Sequence, residues 1–542
     1  MSEEKLSTIL PTTKWQSLGI WNVYFLFKFG LFYFSLIELH ILENLALIAF
    51  LVLPIENHAI RTLKHLLGIC FAVLLLHHDS YLPPLSLLLN SSDLITSFSM
   101  SYLIELISRI VSWQATSLIL VSLVTYLYFS QWVRFTGVNI IVLLCSGLIG
   151  QINTQDSAKY TQQQNTLPSL NITAKQQPIS VTDPASALAR FYAEQKELIT
   201  QFPTQFSGAN FDLIVLNVCS LGWDDLDFVG MDNHPLLQQF DVVFENFNSA
   251  TSYSGPAATR LLNASCGHKA HDDLYANKPK QCNLFGQLEQ LGFQTDLAMN
   301  HNGFFDSFLP SIRAQGGLNA PLQSLDNIKV MQRSFDGSPI YSDGQVLTEW
   351  LRNRAGSQVA RHALYFNSIS LHDGNLLAGT SNNLNSLESY GARAQTLFKD
   401  FERFFETLSR TGKNYLVVMV PEHGAALRGD QMQFAGLREI PSPAIVNVPV
   451  GIKFISSTQN KIGQGLKYRE PVSYFALSEL IARTLHNNPF DGRNIDLEEL
   501  LSDLPQSTMV AENKGTKMIV FDNKPFIQLD GESWQRYPNQ QQ

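Results

Sequence analysis

Apolar positions along the chain change their pattern twice. Residues 18–153 carry long, nearly unbroken apolar runs and 154–185 carry few. From 186 onward, short apolar runs alternate with amphipathic stretches. Five of the early runs approach the roughly 20 residues needed to cross about 30 Å of hydrocarbon. They lie near 18–38, 42–58, 62–78, 114–132 and 136–153. The second and third are short, with Pro54 and His65 as interruptions. Between the third and fourth, "SYLPPLSLLLNSSDLITSFSMSYLIELISR" reads as a loop and an interfacial amphipathic helix, with a sixth crossing as the alternative.

Past 186 the periodicity is that of a layered α/β domain. "ASALARFYAEQKELITQF" reads as helix, and "FDLIVLNV" as a strand buried on both faces. Similar runs recur at "QTDLAMN", "HALYFNSIS", "YLVVMV" and "VPVGIKFI", with helical stretches near 284–291, 341–354, 384–410 and 472–485. Such alternation predicts a mostly parallel central sheet with helices on both faces, and sites beyond the carboxyl ends of its strands. The expected organisation is an α-helical membrane domain over 1–153, a flexible linker over 154–185 and an α/β domain over 186–542. The linker, rich in Gln, Thr, Ser and Asn, lacks the apolar surface to fold by itself.

Composition sharpens this picture. At 542 residues more than one domain is expected, and the 16% charged content falls below the roughly 25% of soluble chains. A net charge of −9 argues against nucleic acid as a partner. Lys5, Lys14, Arg61, Lys64 and Arg134 all fall on one side of the five expected spans. The alternate loops, Glu38 to Glu43 and His77 to Tyr102, carry no Lys or Arg. This pattern predicts a cytoplasmic N-terminus and places everything after 153 outside. The first span is too long for a cleavable signal and reads as an anchor. Lys28 inside it reads as a snorkelling or interhelically paired lysine, or as a contact to a lipid headgroup.

Three expected strands end in chemically capable residues. Cys219 follows "FDLIVLNV", His372 and Asp373 follow "HALYFNSIS", and Glu422 and His423 follow "YLVVMV". Each alone reads as core filler or a structural residue; their coincidence at one sheet edge points to a site. Thiolate, carboxylate and imidazole together suit zinc, so Cys219, Glu422 and His423 are candidate ligands with one position open. Ser254, at the entry to a helix through "AATRLL", is a candidate fourth ligand and nucleophile. It reads equally well, as does Ser252, as the cap of that helix.

With these residues in hand, "NVCSLGWDDL", "TSYSGPAATRLL", "SLHDGN" and "PEHGAALRGD" resemble the BcsG family of bacterial cellulose phosphoethanolamine transferases, within the alkaline phosphatase superfamily. The resemblance covers essentially the whole chain. It implies a zinc enzyme of the bacterial inner membrane with a periplasmic catalytic domain. Ser254 would take phosphoethanolamine from phosphatidylethanolamine and pass it to a glucose hydroxyl of cellulose emerging from its synthase. It implies Cys219, Glu422, His423 and the Ser254 oxygen as zinc ligands. His372 would assist proton transfer or bind phosphoryl oxygens, and Tyr253 and Arg438 would contact phosphate or substrate.

Lipid A transferases of the superfamily use a Thr nucleophile, an acidic ligand after the first strand and an Asp-His pair. Ser254, Cys219 and Glu422-His423 depart from that pattern and argue against lipid A as acceptor. Sulfatases place Arg at +4 from their modified residue, where this chain has Ala258. Against this background Cys70 and Cys145 read as packing residues, and Cys266 and Cys282 as a disulfide of an oxidising compartment. A second metal site at Cys266, His268 and His271 is the competing reading. Two other functions stay open. One is a related zinc phosphotransferase or phosphodiesterase with a different acceptor; the other is a non-catalytic scaffold of a polysaccharide synthase.

Overall fold

Asp212–Val218 is buried at every position, as expected of a strand with helices on both sides. We label it β1. With it run β2 (Val242–Asn248), β3 (Phe293–Met299), β4 (Arg361–Ser368), β5 (Tyr415–Pro421), β6 (Asn447–Ile455) and β7 (Leu466–Tyr468). The structure is a computed structural model that describes residues 17–34, 37, 39–80, 100, 102–105, 113–145, 182–276, 279–378, 385–457, 465–491 and 497–538. The expected linker of 154–185 lies almost wholly outside the described residues.

The strands form one eight-stranded sheet in the order β7-β2-β6-β5-β1-β4-β3, with Val472–Ser473 also pairing β2. β1 pairs in parallel with β4 and β5, and β3 pairs in parallel with β4. β6 departs from the parallel pattern and runs antiparallel to both β2 and β5. The sheet is therefore mixed and mostly parallel, as the alternation of strands and helices predicts.

Alternate residues of β1 supply two cores. Leu213 and Val215 join one, with Leu477, Leu480 and Ile481 of the helix Tyr474–Asn487. Ile214, Leu216 and Val218 join the other, with Leu397, Phe398 and Phe401 of the helix Ser386–Ser409. That helix begins at a capping box, Asn385 with Glu388. Each such apolar side chain contributes roughly 1.5–3 kcal/mol on burial, so the sheet is fixed from both faces. Two small antiparallel sheets, one of Val510–Asn513, Thr516–Phe521, Lys524–Leu529 and Gln535–Arg536, were not read from the sequence.

By contacts the chain divides into two units, Met1–Pro84 with Ile107–Gln177, and Leu85–Leu106 with Pro178–Gln542. In the first unit, helices Trp21–Tyr33, Ile41–Val52, His58–Asp79, Trp113–Phe129 and Phe135–Cys145 fall in the five expected segments. Among the described residues only His58–Asp79 is both long and apolar enough to cross a membrane. Pro54 follows the end of Ile41–Val52. His65 does not interrupt its segment: it sits inside His58–Asp79, where its Nδ1 accepts from Trp21 Nε1 at 3.2 Å. Lys28 is fully buried, donates to Asn44 at 2.7 Å and pairs with Asp79. It is thus an interhelically paired lysine, because a buried ammonium is tolerated only against a counter-charge and acceptors.

Candidate active site

The backbone hydrogen bonds of the central strands run one residue past their ends. Cys219 N–H donates to Ser368 O at 2.9 Å, and Glu422 N–H donates to Val218 O at 2.8 Å. Register alone therefore sets Cys219 beside Glu422 at the carboxyl edge of β1 and β5. Immediately afterwards Ser220 turns into the left-handed region, with φ 60°, and its carbonyl is held by the Tyr390 hydroxyl at 2.7 Å. A non-glycine residue is strained there, as residues at functional sites often are.

The loop after β5 is held by a buried carboxylate. Asp225 accepts from the backbone N–H groups of Gly222, Ala425 and Leu427 at 3.0, 2.6 and 3.1 Å. Gly424 lies so close that a Cβ would meet Asp225 Oδ2 at 2.8 Å and Ile445 O at 3.2 Å, so only glycine fits. A second clamp, Asn513, acts on the turn before Ser254. Its Nδ2 donates to Ser252 Oγ at 2.7 Å and to Glu439 O at 2.9 Å, and its Oδ1 accepts from Thr251 Oγ1 at 2.8 Å.

Together these elements converge four of the expected residues. Ser254 Oγ lies 3.4 Å from Cys219 Sγ and 3.3 Å from His423 Nε2, and Cys219 Sγ lies 3.9 Å from His423 Nε2. Ligand atoms of Cys219, Glu422 and His423 lie within 4.8 Å of one another, and all three residues are buried. The helix Ser254–Leu262 has Tyr253 at its N-cap position and no side-chain cap, so neither Ser254 nor Ser252 caps it. Ser252 Oγ instead donates to the Arg438 carbonyl.

The donor set fits zinc. A thiol, a carboxylate and an imidazole stand together, and Glu422 Oε2 is buried without a partner while Oε1 accepts from Asn367 Nδ2 at 2.7 Å. Burial, then the nearby Glu422, pushes the Cys219 thiol up to about 12. Burial likewise raises Glu422 and lowers His423. Burial disfavours the charged forms of all three groups, a cost that a bound cation would offset for the carboxylate and thiolate.

Above the cradle, His372, Tyr253 and Arg438 line the same cleft as Ser254 and His423. His372 Nδ1 donates to Asp373 O at 2.6 Å, which leaves Nε2 as the ring nitrogen outside that bond. Burial, then Arg438, depresses His372 to about 4, so it is a neutral imidazole at physiological pH. Arg438 Nη1 donates to Ser220 Oγ at 2.8 Å and lies 3.1 Å from His423 Nδ1. Tyr253 is pushed well above the ordinary phenol range by burial and by Glu439. Cys266 and Cys282 form a disulfide across a separation of 16 residues. The competing metal reading of Cys266 with His268 and His271 therefore fails, since the sulfur is engaged.

Sequence reasoning missed Asn367, Asp225 and Asn513 as supports of this cradle. A second grouping, His40, His78 and Asp79, also brings metal-capable atoms within 4.8 Å, but Asp79 there already serves Lys28, Asn44 and His40.

The family described as cellulose biosynthesis protein BcsG, C-terminal domain, matches residues 169–534, and its N-terminal domain matches 21–147. The chain belongs to the BcsG family. It is 37% identical over 562 residues to the "Cellulose biosynthesis protein BcsG" of Escherichia coli (strain K12), covering 99% of this chain and all of that one. The protein of the same name from Salmonella typhimurium is also 37% identical, with the same coverage. Solved structures that resemble this BcsG-family chain include the zinc complex of the C-terminal periplasmic domain of EcEptC from Escherichia coli. That likeness is at 14% identity and TM-score 0.42, covering 58% of this chain and 93% of that one. Another is the integral membrane lipooligosaccharide phosphoethanolamine transferase A of Neisseria meningitidis. It stands at 12% identity and TM-score 0.41, covering 76% and 81%. Likenesses this loose carry no argument about activity, which is read from the site itself.

Proposed function

We propose that this BcsG-family protein transfers phosphoethanolamine from phosphatidylethanolamine to glucose hydroxyls of cellulose through a covalent Ser254 intermediate. The observation that carries the proposal is the approach of Ser254 Oγ to Cys219 and His423 within a buried thiol–carboxylate–imidazole cradle. Cys219, Glu422, His423 and the Ser254 oxygen would hold zinc. Bound there, zinc would supply Lewis-acid stabilisation of the phosphoryl oxygens and acidify the serine hydroxyl.

In the first half-reaction Ser254 Oγ attacks phosphorus, an O–P bond forms, the bond to the lipid oxygen breaks, and the proton lost by the serine hydroxyl ends on that oxygen as diacylglycerol leaves. In the second, a sugar hydroxyl attacks the phosphoethanolamine-serine, and the Ser254–phosphorus bond breaks. His372 Nε2, neutral and facing the cleft, takes the proton of the attacking hydroxyl. Arg438 offers a fixed positive charge to the phosphoryl oxygens.

Five membrane crossings, an N-terminus in the cytoplasm and a periplasmic catalytic domain complete the reading, with 154–185 as a tether. The arrangement would hold the site beside its lipid donor in the inner membrane and near a cellulose synthase. The name of the curated relatives supports cellulose as the acceptor. A silent scaffold is disfavoured because nucleophile, metal cradle and His372 are all intact. Ser254→Ala should abolish transfer and leave the fold unchanged; wild-type turnover in that variant would remove Ser254 from the mechanism.

A further inference from the structure

The same cleft is also lined by aromatic rings and carboxylates. Its wall continues from His372 to Phe335, with ring centroids 5.3 Å apart, and from Phe335 to Phe305, edge to face at 4.7 Å. Asp306 follows Phe305 and lines the same cleft. Asp306 and Ser307 are both left-handed, with φ 49° and 52°. Two successive residues with a Cβ in that region are unfavourable, and such strain persists where a side chain must be held in one place.

Asp306 shares this lining with Tyr253, the residue before Ser254. Asp306 is exposed, and among the described residues no lysine, arginine or histidine forms an ion pair with it. The other carboxylate of the cleft, Asp336, is already engaged by the Ser338 backbone and hydroxyl. The cleft therefore offers both the Arg438 guanidinium beside His423 and a carboxylate, Asp306, with no ion-pair partner among the described residues.

We propose that Asp306, with Phe305 and Phe335, binds a primary ammonium group joined by a short chain to the phosphoryl group held at Ser254. The inference rests on the transfer reaction proposed above and adds what selects the headgroup. A zwitterion with its phosphate at Arg438 finds an acceptor for its ammonium at Asp306 in the same cleft. The ammonium donates to Asp306 while the Phe305 ring, backed by the buried Phe335, attracts its charge. A glycerol headgroup brings no charge to Asp306, and a quaternary ammonium brings no hydrogen to donate.

The test uses the full chain in detergent, following single-turnover formation of the Ser254 adduct from micellar phosphatidylethanolamine and phosphatidylglycerol. Wild type should favour the ethanolamine donor. Asp306→Asn should lower the ethanolamine-over-glycerol ratio of kcat/KM at least about tenfold, chiefly through KM, as expected for losing a charge-assisted hydrogen bond. Asp306→Glu should retain most of the preference, and Phe305→Leu should lower it in the same direction without removing a charge. An unchanged ratio in Asp306→Asn and Phe305→Leu overturns the ammonium site and leaves the transfer reaction standing. Failure of wild type to form an adduct from either lipid overturns both.

Discussion

Asn367 Nδ2 donates to Glu422 Oε1 at 2.7 Å and leaves Oε2 buried with no partner inside the cradle. One strand residue of β4 thus orients Glu422, a proposed metal ligand at the end of β5, across β1 between them. Outer partners of this kind commonly govern metal affinity by 10–100-fold. Asn367→Ala should weaken zinc binding by roughly that factor, read by competition with a chelator. Unaltered affinity would mean that the bond is incidental.

Asp225 ties the loop carrying His423 to the turn after β1, through three backbone N–H groups. Asp225→Ala leaves those donors buried and unpaired, at roughly 1–3 kcal/mol for each that finds no water. We expect a clear loss in denaturant stability, with a smaller one for Asp225→Asn, which keeps an acceptor oxygen. Equal losses in the two variants would argue against the hydrogen-bonding role.

The Cys266–Cys282 disulfide closes the segment that follows the nucleophile helix. Alkylation after denaturation without reductant should therefore label Cys70, Cys145 and Cys219 alone. Replacing both bridged cysteines by serine should lower stability by roughly 3 kcal/mol, the amount expected for a loop of this length. Labelling of all five cysteines would exclude the bridge.

His372 is depressed to about 4 by burial and by the positive charge of Arg438. A base with that value is deprotonated across pH 5–8 and is lost only as pH falls through about 4. The transfer step should show no ascending limb near 6.5, the ordinary histidine value, provided zinc stays bound. His372→Gln should slow it by about 10²–10⁴-fold. A limb at 6.5 that disappears in His372→Gln would contradict the depressed value.

Much of the site was legible because three motifs end strands that are neighbours in the sheet: β5, β1 and β4. Continuous apolar runs identified those strands, and the carboxyl-edge rule for such sheets placed Cys219, His372, Glu422 and His423 together. Ser254 was ambiguous between cap and nucleophile; the uncapped helix start removes the first reading, and the approach to Cys219 supports the second. The supports were hidden for physical reasons. Asn367 sits inside an apolar strand, Asp225 inside a short acidic run that looks solvated, and Asn513 more than 250 residues from the turn it clamps. Each acts through tertiary hydrogen bonds that leave no periodic trace. The reversed direction of β6 was equally invisible, since burial on both faces reads the same in either direction.

Intact-protein mass spectrometry of the zinc-loaded full chain, incubated with a phosphatidylethanolamine analogue, tests the proposed chemistry most directly. We expect a mass increase of one phosphoethanolamine group, mapped to Ser254 by fragmentation, absent in Ser254→Ala and discharged by added cello-oligosaccharide. Release of diacylglycerol with no adduct on Ser254, or an adduct on another residue, would contradict it.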